Sequence, residues 1–87
     1  MTEGAVIRAA LRDLGRVTFG TPPGFVRVSL DELVARQIDR DEAIRWAESH
    51  GGHTDRAERR RLGGLGPSYG KREVTVTLLV PEEALYR

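Results

Sequence analysis

The chain has 87 residues, of which 39% are hydrophobic and 31% charged, with a net charge of +1 and no cysteine. That length holds one domain, burying roughly 60% of the surface its unfolded chain exposes, and leaves no room for a separate cofactor-binding domain. The missing cysteines exclude thiol catalysis, thiolate metal sites and a disulfide scaffold. No apolar run approaches the ~18 residues that span a bilayer, and the charged N-terminal segment lacks the apolar core of a signal peptide, so a cytoplasmic location is expected.

The charge is unevenly spread. Residues 1–28 are net +2, residues 29–50 net −3, residues 51–72 net +4 and the remainder net −2. The basic stretch holds Arg56, Arg59, Arg60, Arg61, Lys71 and Arg72 against Asp55 and Glu58. A local positive patch of this kind attracts a polyanion whatever the total charge.

In chain order, Val6, Ile7, Ala10, Leu11 and Leu14 fall on one helical face between Thr2 and Leu14, with Arg8 and Arg12 turned outward and Gly15 as the stop. Thr21-Pro22-Pro23-Gly24 forces a turn, and Phe25–Val28 reads as a short strand. Ser29 fits an N-cap, with Glu32 three residues on as its capping-box partner. Leu30, Leu33 and Val34 would form the buried stripe of a second helix running to about Gln37. Asp39 and Glu42 repeat the signal at once, so two helices follow each other with almost no linker, and Ile38 packs between them. Ala43, Ile44 and Ala47 form the inward face of the third helix, flanked by Trp46, and Gly51-Gly52 stops it.

Residues 54–62 are weakly patterned, as a strand or a ragged helical turn. Residues 63–70 are a glycine-rich loop. Glu73–Val80 is the clearest strand, alternating so that Val74, Val76, Leu78 and Val80 share one face, and Pro81 ends it. Residues 82–87 add a terminal turn.

The stretch VSLDELVARQIDRDEAIRWAESHGG resembles helix 2, the turn and helix 3 of bacterial and phage winged helix-turn-helix proteins. The preceding helix and the following HTDRAERRRLGGLGPSYGKREVTVTLLV extend the likeness over most of the chain. The resemblance implies an α+β fold of three helices on a two- to three-stranded antiparallel sheet with a basic, glycine-rich wing. It also implies a double-stranded-DNA-binding function, as a transcriptional repressor, an excisionase-like protein or an architectural factor. In that family helix 3 enters the major groove and the wing touches the backbone or minor groove. Carried over, helix 3 offers Arg40, Arg45 and Ser49, and the wing offers Arg56, Arg59, Arg60, Arg61, Tyr69, Lys71 and Arg72. The small contact area of one such module points to a homodimer.

Asp41, Glu42 and Glu48 share helix 3 with those arginines, and carboxylates are repelled by phosphates. Helix 3 therefore also has a plain structural reading, in which Asp39 and Glu42 cap it and Asp41 pairs with Arg45. The same acidity supports an alternative function, a protein- or peptide-interaction module whose acidic helix pair meets a basic partner and whose sheet edge accepts a strand.

Other chemistry is set aside. The glycine loop lacks the first glycine and the Ser/Thr of a phosphate-binding loop. His50, His53 and Asp55 read as helix-end residues before a metal site, and Ser29 and Ser68 have no evident base. No cofactor, no metal and no enzymatic activity are expected.

Overall fold

The computed structural model describes residues 3–60 and 72–86. Among them the chain forms a small α+β arrangement of four helices and one three-stranded antiparallel sheet. The elements in order are α1 (Gly4–Leu14), β1 (Phe25–Ser29), α2 (Leu30–Ala35), α3 (Arg40–Ser49), β2 (His53–Arg60), β3 (Arg72–Pro81) and α4 (Glu82–Leu85).

The apolar stripe of α1 buries Ile7, Ala10, Leu11 and Leu14. Val6 lies at its margin, 49% exposed. The helix starts after Glu3, whose carbonyl accepts from Val6 and Ile7. Gly15 ends it for a reason other than left-handed backbone, since its φ is −65°. A Cβ there would lie 2.9 Å from both the Leu11 carbonyl and Val26 Cγ2. The chain then runs back along β1, with Arg16 and Arg27 exchanging backbone hydrogen bonds of 2.9 and 2.8 Å.

β1 alternates as a half-buried strand should, with Val26 and Val28 inward. Ser29 Oγ accepts from the Glu32 amide to start α2. That helix is only six residues long, shorter than the sequence suggested, and Val34 is exposed where a buried position was expected. Its end explains the first difference. Ile38 donates to the Leu33 carbonyl at 3.0 Å and Gln37 to the Val34 carbonyl at 2.9 Å, with Gln37 in the left-handed region at φ 63°. This is a Schellman closure, which reverses the chain at Gln37 and drops Ile38 into the core beside Leu33. Asp39 then caps α3, accepting from the Asp41 amide at 2.8 Å.

α3 buries Ala43 and Ala47 completely and packs Ile44 and Trp46 against the core. A second Schellman closure ends it, with Gly51 at φ 88° and Gly52 donating to the Ala47 carbonyl at 2.7 Å. Both helix ends thus satisfy carbonyls that would otherwise lack partners.

The sheet order is β1-β3-β2. The weakly patterned residues after Gly52 are a strand, paired along its whole length from His53↔Leu79 to Arg60↔Arg72. On the other side of β3, Val26 opposes Val80 and Val28 opposes Leu78. Those four residues face the helices and form the sheet's share of the core. The apolar face of β3 fades outward along the strand: Leu78 and Val80 are buried, Val76 is partly buried and Val74 is 46% exposed. The β2–β3 hairpin therefore extends past the helical layer. After Pro81, α4 returns Leu85 to the core, and its first amide donates to the Gly24 carbonyl at 2.9 Å.

Candidate nucleic-acid interface

The N-caps Ser29 and Asp39 set where α2 and α3 start and so where the acidic and basic side chains of the helix pair stand. Arg40, at the first turn of α3, is exposed and lines a small cleft with Ser29, Leu30, Asp31 and the β3 residues Val74, Thr75 and Val76. The fold therefore brings Arg40 beside an arm of the hairpin. Arg45 is also exposed, but five residues of helix rotate it about 140° from Arg40. Ser49 follows Arg45 by one turn, and its hydroxyl donates to the Trp46 carbonyl at 2.7 Å, so it is engaged by its own helix. Asp41 and Arg45 form no ion pair with each other, contrary to the spacing-based expectation.

Arg56 is exposed on β2 opposite Val76 and has an interaction partner of its own. Towards the far end of the ladder Arg59 opposes Glu73 and Arg60 opposes Arg72. Arg61, Tyr69 and Lys71 lie outside the described residues.

Two arginines that the sequence counts simply as positive charge are already neutralised. Arg27 Nη1 donates to Asp55 Oδ2 at 2.6 Å and to Thr77 Oγ1 at 2.7 Å, and Nη2 reaches the Gly20 carbonyl at 3.3 Å. Arg36 pairs with Asp13 at 3.2 Å. The first pair matters for the hairpin, because a cation from β1 offsets an acidic residue of β2. The remaining cations of the hairpin are correspondingly less opposed. Nothing local in the sequence signals this pair, whose members are 28 residues apart.

Trp46 and Phe25 each pack against a histidine. Trp46 is partly buried, its indole 3.4 Å from the Cβ position of Gly4, and His50 stacks on it with ring centroids 3.9 Å apart. His50 Nδ1 donates to the Trp46 carbonyl at 2.7 Å, which places its N–H at the negative end of α3. His53 instead meets Phe25 edge-on at 5.9 Å. The two histidines are therefore in separate aromatic contacts, and among the described residues no group of three His, Asp or Glu side chains converges to hold a metal. No helix among the described residues is long and apolar enough to cross a membrane.

Comparison with protein-family models, with curated proteins and with solved structures gave no match.

Proposed function

We propose that this chain is a winged helix-turn-helix protein that binds double-stranded DNA, with the β2–β3 hairpin as its principal contact. The observation that carries this reading is the hairpin: antiparallel arms that outrun the helical layer and bear Arg59, Arg60 and Arg72 at the far end of their ladder. The element order, the β1-β3-β2 sheet and the two-residue turn between the Arg36 cap and the Asp39 cap support the architecture. In that arrangement the hairpin engages phosphates or a narrow minor groove, and α3 lies along the major groove with Arg40 nearest the hairpin. Affinity then comes mainly from phosphate contacts, with weak discrimination between sequences.

Titration of random duplex DNA at two salt concentrations tests this, using the full chain and a variant with Arg59, Arg60 and Arg61 changed to alanine. Salt-sensitive binding that the variant loses supports the reading. Absence of binding, or binding indifferent to salt, removes it.

One observation favours a second reading. Asp31, Glu32, Asp39, Asp41 and Glu48 are all exposed on the helix pair, where they outnumber Arg36, Arg40 and Arg45. A basic protein segment would suit that surface better than DNA would. Retention of basic peptides with no retention of duplex DNA would select it.

A further inference from the structure

The sheet has one edge without a described partner. β1 is flanked by the Arg16–Arg27 bridge, but the outer side of β2 pairs with no strand among the described residues. His53, Thr54, Arg56 and Ala57 are exposed along it, and Asp55 is partly so. Open edges are hazards that proteins usually blunt with charge. The charges of this edge have a particular order, Asp55-Arg56-Ala57-Glu58-Arg59.

That order is complementary to itself when read backwards. Two β2 strands paired antiparallel about a two-fold axis at Ala57 place Asp55 opposite Arg59 of the second copy and Arg56 opposite its Glu58, with Ala57 opposite Ala57. Symmetry repeats each pairing, so four positions oppose opposite charges, the favourable cross-strand arrangement, with Asp55 shared between Arg27 of its own chain and Arg59 of the second copy and Arg56 keeping the partner it has within the chain. A centre at Asp55, Arg56, Glu58, Arg59 or Arg60 would instead set a like charge against itself. Of the uncharged centres, His53 and Thr54 would overlap the two strands over three residues at most, whereas Ala57 overlaps them from Thr54 to Arg60.

A second observation points to the same place. On the face of the sheet away from the helices, Phe19, Arg27, Asp55, Ala57 and Thr77 are among the residues lining an open groove of about 480 Å³. Phe19 in it is fully exposed. Ala57 belongs to both the groove and the edge, and an axis perpendicular to the sheet keeps the two outer faces on one side. Pairing at Ala57 therefore makes the two Phe19-bearing grooves neighbours across the axis.

We propose that β2 is a self-pairing edge, through which two copies of this chain form a homodimer with a continuous six-stranded sheet and its two-fold axis at Ala57. The proposal does not rest on the DNA-binding reading, and its test contains no DNA. Because the chain has no cysteine, Ala57→Cys introduces a single thiol. Directly opposed residues have Cα atoms about 4.5–5.5 Å apart, within disulfide reach. In the same register two copies of Thr54→Cys lie about 20 Å apart along the strands, beyond it. Under mild oxidation Ala57→Cys should become a disulfide dimer and Thr54→Cys should remain monomeric.

Charge reversal gives an independent arm, read by sedimentation of the full-length chain. Arg56→Glu and Glu58→Arg should each weaken self-association about tenfold or more. The double variant should restore it, and the two single variants mixed should form a heterodimer. A wild-type chain that stays monomeric across the concentration series, equal cross-linking at positions 57 and 54, or a dimer indifferent to both reversals would overturn the proposal.

Discussion

Arg27 fastens three strands and a turn through one guanidinium. Its side chain is 17% exposed, whereas Asp55 is 40% exposed, so removing the arginine leaves a carboxylate that water can still reach. Arg27→Ala should therefore cost about 1–2 kcal/mol, short of the penalty for a fully buried orphan charge. Urea denaturation measures it, and an unchanged midpoint would show that the pair contributes nothing. Gly52 is the second sensitive position: a Cβ there would lie 2.5 Å from the Leu79 carbonyl and 3.0 Å from that of Ala47. Gly52→Ala should destabilise by about 2 kcal/mol through overpacking, seen as a lowered Tm. At this scale the sequence was legible where chemistry is local, as in the caps at Ser29 and Asp39. It was silent where contact depends on the closed fold, as for Arg27 with Asp55 and Thr77.

The elements were legible in proportion to their periodicity. α1 and β3 carry clean patterns of period 3.6 and 2, and both formed where expected. β2 carries hardly any pattern, because it is an edge strand rich in charge, and its identity comes from pairing with β3. The early end of α2 was missed for a different reason. Its Schellman closure uses Gln37 at the left-handed position, where glycine would have announced it. A non-glycine residue there costs roughly 1–2 kcal/mol, partly offset by the unfolded-state freedom that glycine would add. Gln37→Gly should accordingly raise stability by about 0.5–1 kcal/mol in equilibrium unfolding, and a loss would contradict the strained-turn account. Ser29→Ala and Asp39→Ala should each lower stability by about 1 kcal/mol, since each removes the side-chain acceptor that starts a helix.

Over the whole molecule, the helices cover one face of the sheet and the β2–β3 hairpin reaches beyond them. Charge divides along the same line, with carboxylates prominent on the helix pair and arginines towards the far end of the hairpin ladder. The hairpin should therefore dominate polyanion binding, and α3 should contribute little through its acidic surface. Arg40→Ala, beside the hairpin arm, should weaken duplex binding more than Arg45→Ala; the reverse order in a filter-binding or anisotropy titration would favour α3 as the main contact. DNA binding by the hairpin can be read from the slope of log K against log salt for duplex DNA, measured on the wild-type chain and on the Arg59, Arg60, Arg61 triple alanine variant. If those three side chains contact phosphates, the slope should become shallower by as much as about 2.7, three contacts at about 0.9 each. Equal slopes for the two proteins, or no wild-type binding at low salt, would contradict a DNA-binding hairpin.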